Sequence, residues 1–132
     1  MDIKIEAGLK ARAEMTVEYK DTAKAVASGL AEVFATPSLI ALMENAAYTA
    51  VQPYLPAGSS TVGTRIDAKH LAATPIGLKV WAEAVLADVD GRKLTFNITA
   101  YDEAEKIGEA VHERFVIDEQ RFLSRAEAKG KR

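Results

Sequence analysis

Two titratable side chains, Glu44 and His70, stand where the residue pattern turns them away from bulk water. Glu44 lies in the stretch Glu32 to Gln52, E-V-F-A-T-P-S-L-I-A-L-M-E-N-A-A-Y-T-A-V-Q. At helical spacing Leu39, Met43, Ala46, Ala47 and Ala50 share one face, with Ile40 and Val51 beside them; Ser38, Asn45, Tyr48, Thr49 and Gln52 fall on or near the other. Glu44 occupies the seam between the two. Removing water from a carboxylate favours its protonated form unless a cation or donors offset the effect, and that is the condition in which carboxylates do acid or base work. His70 closes a run from about Ser60 to about Leu71. Strict alternation there puts Val62, Thr64, Ile66, Ala68 and His70 on one, mostly apolar, side. The imidazole is therefore expected to point into the core or a cleft in it.

The elements that would carry these groups can be read in turn. Thr36 followed by Pro37 predicts a helix start: a Thr hydroxyl can accept a bond from a first-turn N–H, and Pro fits the first helical position. Upstream, Leu9, Ala11, Ala13, Met15, Val17 and Tyr19 alternate with charged or polar residues, a half-buried strand. Asp21 to Ala31 reads as a loop or a short irregular helix. After the helix, Gln52 to Gly58 holds two prolines and a glycine and breaks the structure. The strand ending near His70 comes next, followed by one from Leu78 to Val89. An Asp90-Gly91 hairpin turn leads to a strand from Lys93 to Tyr101, and a fifth runs from Ile107 to Ile117, with a continuation towards Phe122 left open. A single apolar helix among five strands must bury itself. The predicted class is therefore α+β: one long central helix wrapped by a curved five-stranded antiparallel sheet, the hotdog arrangement. Residues 1–123 read as one domain and 124–132 as a charged, frayed, disordered tail.

Composition narrows the chemistry. The chain has 132 residues, 48% hydrophobic, which suits a single core. With 17 basic and 19 acidic residues it has no strong field to gather nucleic acid along a face. Cysteine is absent, which removes disulfides, thiolate nucleophiles and Cys-type zinc sites. No apolar run approaches the roughly 20 residues that span a bilayer, and the start M-D-I-K-I-E lacks the apolar core of an export signal, so a soluble, cytoplasmic protein is expected. His112 lies on one strand face with Ala110 and Arg114. A cation beside it and the absence of H-x-x-x-H and H-E-x-x-H argue against a metal site. No phosphate-binding glycine loop is present, so no bound cofactor is implied.

Several blocks taken together resemble a known family. E-V-F-A-T-P-S-L-I-A-L-M-E, T-V-G-T, H-L-A-A-T-P-I-G, V-D-G-R-K-L-T-F and H-E-R-F, in that order between about Val26 and Phe122, resemble the hotdog thioesterases related to fluoroacetyl-coenzyme A thioesterase. The resemblance implies that the family's catalytic Thr, Glu and His fall on Thr36, Glu44 and His70. It also places the family's strand glycine on Gly63 and the arginine of its late block on Arg114. It further implies an acyl-CoA substrate, coenzyme A being part of that substrate rather than a cofactor, and sites at the interface of a homodimer, which can pair further into a tetramer. One departure stands out. The fluoroacetyl-specific member has bulky aromatic residues before its helix where this chain has Ala27 and Leu30, so the preference for a fluorinated acyl group does not carry over with the blocks.

Thioester hydrolysis needs a nucleophile or activated water, a proton acceptor, and donors aimed at the developing oxyanion. In one route His70 takes a proton from water or from the Thr36 hydroxyl while Glu44 steadies the imidazolium. In another, Glu44 attacks the carbonyl and an anhydride is then hydrolysed. The Gly63 amide is the oxyanion candidate, because a residue without a side chain lets a carbonyl approach the backbone. Arg114 can pair with Glu44, hold a phosphate of coenzyme A, or fix the fifth strand. Each residue also has a purely structural reading: Thr36 as a helix cap, Glu44 as a solvated or paired carboxylate, His70 as a hydrogen-bonded core residue, Gly63 as a bulge. Two other functions stay open, a non-catalytic acyl-CoA binder or sensor and a hotdog hydratase or dehydratase acting on an enoyl thioester.

Overall fold

Alternating apolar and polar residues give the computed structural model its five strands: β1 (Lys10–Thr16), β2 (Ser59–His70), β3 (Lys79–Asp90), β4 (Lys93–Asp102) and β5 (Lys106–Asp118). The structure describes residues 3–131; Met1, Asp2 and Arg132, the outermost residues of the amino-terminal stretch and of the charged tail, lie outside it. All neighbouring strands pair antiparallel, in the order β1-β3-β4-β5-β2. The Asp90-Gly91 turn joins β3 to β4 with Asp90 opposite Lys93, as the hairpin pattern predicts, and Gly91 takes the left-handed φ of 61° that such a turn requires.

Helix α1 (Thr36–Val51) lays Leu39, Leu42, Met43, Ala46, Ala47, Ala50 and Val51 against one face of this sheet. It meets the buried side chains Val80, Ala82, Ala84 and Leu86 of β3 and Leu94, Phe96, Ile98 and Ala100 of β4. Small residues on both surfaces bring the helix close to the strands. At Gly108 of β5 a Cβ would come within 3.0 Å of both Leu39 Cδ2 and the Lys69 carbonyl oxygen, so α1 packs there on bare backbone.

The architecture differs from the expectation of a single helix. A second helix, α2 (Glu119–Ala128), follows β5 directly, in part of the stretch expected to be frayed. Asp118 starts it: its carboxylate accepts the Arg121 backbone N–H at 3.1 Å, one of the first-turn donors that a helix otherwise leaves unpaired. The Glu119 N–H donates to the Gly58 carbonyl at 3.0 Å and ties the helix start to the entry of β2. None of its residues is buried, and so no core face announced it in the sequence.

A further correction concerns β2. Its register against β5 shifts between Gly63 and Arg65, leaving Thr64 outside the ladder. An extra residue of this kind reverses the alternation. Ser59 and Thr61 are buried before the bulge, and Ile66, Ala68 and His70 form the less exposed side after it, so Val62 does not share a face with His70, and Thr64 is exposed at the bulge.

The connection from β1 to α1 is built of turns, as a loop reading of Asp21 to Ala31 predicts. Ala23 and Lys24 donate to the carbonyls of Val33 and Ala31, and Ala35 donates to that of Asp21. Phe34 donates to the Thr74 carbonyl at 2.8 Å, and the Thr74 hydroxyl donates to Asp102 at 2.7 Å. Asp102 also accepts the N–H groups of Ala104 and Glu105. Burial alone would raise its carboxyl, and these three donors more than offset that, holding it below its ordinary value. The entry to α1 is thus anchored to the turn between β4 and β5. Among the described residues no helix is long and apolar enough to cross a membrane.

Candidate active site

The structure places the candidate residues in two clusters. At the first, Thr36 is not the helix cap that the sequence predicts. Ala35 takes the cap position, Thr36 is the first helical residue, and no side chain caps this end. The Thr36 hydroxyl is instead engaged with His70, Oγ1 to Nδ1 at 2.8 Å. His70 ends β2, and both residues line a groove of about 370 Å³ with Ala23, Phe34 and Ala72. The other ring nitrogen, Nε2, is buried without a hydrogen-bond partner among the described residues.

Desolvation by burial lowers the pKa of His70 from 6.5, with the Ala72 backbone partly offsetting it. The neutral imidazole, the form that accepts a proton, therefore persists to lower pH than in a free side chain. If His70 is the base, the acid limb of kcat/KM falls below pH 6.5. Rate measurements from pH 4.5 to 8 check this, and a limb above that value would assign the titration to another group.

The second cluster surrounds Glu44, two turns further along α1. Its Oε2 accepts from Arg114 Nη1 at 3.2 Å. Of the roles open to it in the sequence, the structure shows Arg114 in the ion pair with Glu44. The Arg114 side chain is only 8% exposed, and Nε and Nη2 donate to the hydroxyl and carbonyl of Thr61 at 2.8 and 3.0 Å. Burial lowers its pKa, with Glu44 as the main opposing influence, but a guanidinium starts so high that it stays cationic. Glu44 is partly shielded, as its seam position predicts, with its side chain 41% exposed in the isolated chain.

His112 completes this cluster, and sequence reasoning did not include it in the site. Its Nδ1 lies 2.8 Å from the Arg65 carbonyl, which can only accept, so Nδ1 carries the proton. Nε2 is then free to accept from Arg114 Nη1 at 3.1 Å. Burial, with the Arg114 charge adding to it, lowers the His112 pKa and keeps the ring neutral. The available signal was the strand period, which puts His112 and Arg114 on one face. Gly63, opposite Arg114 in the β2–β5 register, is the floor of the cluster. A Cβ there would lie 2.7 Å from Glu44 Oε2, 3.2 Å from His112 Cε1 and 3.3 Å from Arg114 Nη1.

Thr36 is thus joined to His70, and Glu44 to Gly63, Arg114 and His112. No hydrogen bond links the two groups among the described residues. Eight residues of helix between Thr36 and Glu44 amount to about 12 Å of rise.

A family model described as fluoroacetyl-CoA-specific thioesterase (FlK) matches residues 17–120. The chain belongs to this family. The thioesterase is 43% identical over 98 residues, 74% of this chain and 70% of the relative, to the fluoroacetyl-CoA thioesterase of Streptantibioticus cattleyicolor. A solved structure of a mutant fluoroacetyl-CoA thioesterase in complex with acetyl-CoA superposes with a TM-score of 0.90 at 34% identity, covering 95% of this chain and 98% of the other. A hotdog-like protein from Thermanaerovibrio acidaminovorans gives 0.84 at 22% identity, covering 95% and 93%, and shows the fold alone. The thioesterase therefore has the hotdog fold, a five-stranded antiparallel sheet with helices.

Proposed function

We propose that the thioesterase hydrolyses a small acyl-CoA to free acid and coenzyme A, at sites that two subunits build together. The observation that carries this reading is the arrangement along α1: a hydroxyl–imidazole pair at its start, with one ring nitrogen buried and unpartnered, and a carboxylate–guanidinium pair two turns on. A second copy supplies what one chain leaves apart. Thr36 and His70 of one subunit face Glu44, Arg114 and Gly63 of its partner across an interface formed along β2. That strand is twelve residues long and lies at the edge of the sheet with one side unpaired, which favours pairing with another copy.

In this site the neutral His70 takes the proton of an attacking water or of Thr36, and the charge that forms on the ring is stabilised by Glu44. Hydroxyl attack on the thioester carbonyl gives a tetrahedral oxyanion. Its collapse breaks the C–S bond and releases the coenzyme A thiolate, which takes the proton held by His70. Where Thr36 is the nucleophile the acyl group is left as its ester, and a water deprotonated by His70 then attacks that ester, releasing the free acid and restoring the Thr36 hydroxyl. The Gly63 amide, next to the register shift in β2, is our candidate donor to the oxyanion. The reaction needs no metal or cofactor beyond the coenzyme A of the substrate.

The acyl group is small. Ala23, Ala35, Ala72 and Ala73 line the groove at His70, and the relative in complex with acetyl-CoA supports the same size class. Leu30, one of the residues that replace aromatics, is 92% exposed in the isolated chain, and Ala27 holds a left-handed turn with φ 61°. Neither of these supports a special affinity for fluorine. Free-thiol release from a series of acyl-CoA substrates tests the reading: acetyl- and propionyl-CoA are expected to turn over, with kcat/KM falling as the chain lengthens. A folded protein that leaves the whole series intact, yet binds acyl-CoA in calorimetry, is a binder and not an enzyme.

A further inference from the structure

The described arginines divide into two groups. Arg12, Arg65 and Arg114 each face a carboxylate: Glu14 at 3.3 Å, Glu113 at 3.3 Å and Glu44 at 3.2 Å. The remaining three, Arg92, Arg121 and Arg125, have no side-chain ion pair or hydrogen bond among the described residues, and all three line one groove of about 290 Å³ between α2 and the rim of the sheet. Arg121 and Arg125 are one helical turn apart on α2, a spacing at which like charges repel, and Arg92 approaches from the turn between β3 and β4. The one carboxylate in the groove, Asp118, is engaged as the helix cap.

Two aromatic rings complete the lining. Phe115 and Phe122 are 41% and 43% exposed and line the same groove as the three guanidinium groups. The backbone holds these parts in place. Val116 donates to the Arg92 carbonyl at 2.9 Å, and Glu119 donates to that of Gly58. The groove is therefore a fixed concavity with three uncompensated cations and two open aromatic faces. Guanidinium groups in convergence favour phosphate, and an open aromatic ring offers a stacking face for a planar base.

We infer that Arg92, Arg121 and Arg125, with Phe115 and Phe122, form a binding site for a multiply phosphorylated adenine nucleotide. Resting on the thioesterase reading, the occupant is the nucleotide end of the acyl-CoA substrate. Phe115 follows Arg114 directly in β5 but faces the other side of the sheet. The rest of the substrate then passes round the rim, where Ser59 of β2 pairs with Asp118 of β5, towards the catalytic residues.

The test uses the double variant Arg121→Gln/Arg125→Gln, two exposed substitutions on α2, and Arg92→Gln separately. Calorimetry with adenosine 3′,5′-bisphosphate is expected to show binding to the wild type and at least tenfold weaker binding to the double variant. No binding to the wild type, or equal binding to both, overturns the site. The ratio of kcat/KM for acetyl-CoA to that for acetyl-pantetheine identifies the source. A ratio at least tenfold lower in the variant assigns the site to the substrate's nucleotide end; an unmoved ratio with nucleotide binding lost assigns it to a free adenine nucleotide. If neither thioester turns over, the thioesterase reading fails by itself, and the calorimetry still decides whether the groove binds nucleotide.

Discussion

Replacing His70 with alanine is expected to lower kcat for a small acyl-CoA by about 10²–10⁴-fold, the usual contribution of a positioned general base. The ring is the hydrogen-bond partner of Thr36 and is kept neutral by burial, so no neighbouring group takes over its proton. It lies at the last residue of β2 rather than among the largest buried side chains, and the fold is expected to survive the change. Circular dichroism and a melting curve beside the rate measurement separate the two effects. A variant that keeps a third or more of the rate would place the base elsewhere. Glu44→Ala is expected to reduce kcat in the same range for a different reason: it leaves the Arg114 charge facing His112 without its carboxylate, and in the proposed shared site it removes the carboxylate that would stabilise the His70 imidazolium.

Gly63→Ala is the second large effect. A methyl group 2.7 Å from Glu44 Oε2 cannot be accommodated where it stands. The atom that must give way is the far end of a flexible side chain, so the fold yields more cheaply than the site does. Displacing Glu44 by an ångström or so from Arg114 is expected to cost about 10²-fold in kcat. Residues acting as a unit are non-additive. The double variant Gly63→Ala/Glu44→Ala should therefore be no slower than Glu44→Ala alone. If it is slower by a further large factor, the added methyl group acts chiefly by keeping the substrate carbonyl from the amide at position 63, which alanine retains, and not by displacing the carboxylate.

Helix α1 and the strands were legible because their periods are clean. Pro37 marks the start of α1, its apolar residues recur at helical spacing, and Asp90-Gly91 is a turn signal with few alternatives. The bulge in β2 was legible only as one reading of Gly63. A glycine inside a strand signals a bulge or a close approach without choosing between them, and the register shift that follows it reverses which side chains join His70. It also determines how His112 is held, since the carbonyl that takes its Nδ1 proton belongs to Arg65, the first residue paired after the bulge. Thr36 before Pro37 carried a sound local signal for capping, and a long-range contact with His70 overrode it. The helix after Asp118 was hidden for the opposite reason: its start is a local cap, but nothing in it is buried, so the periodicity that identifies helices had no core face to follow. The partnership between Glu44 and Arg114 joins residues far apart in the chain. The blocks shared with the family named both residues, and only the fold put them in contact.

A site shared between two subunits is tested directly by complementation. Inactive His70→Ala and Glu44→Ala proteins are mixed in equal amounts under conditions that exchange subunits, and thiol release from acetyl-CoA is followed. In a mixed dimer of shared sites, one site carries both defects and the other carries neither. With half of the dimers mixed, activity is expected to return to about a quarter of the wild-type value. If exchange is demonstrated and the mixture stays as inactive as its parents, each site lies within a single chain, and the shared-site account is wrong.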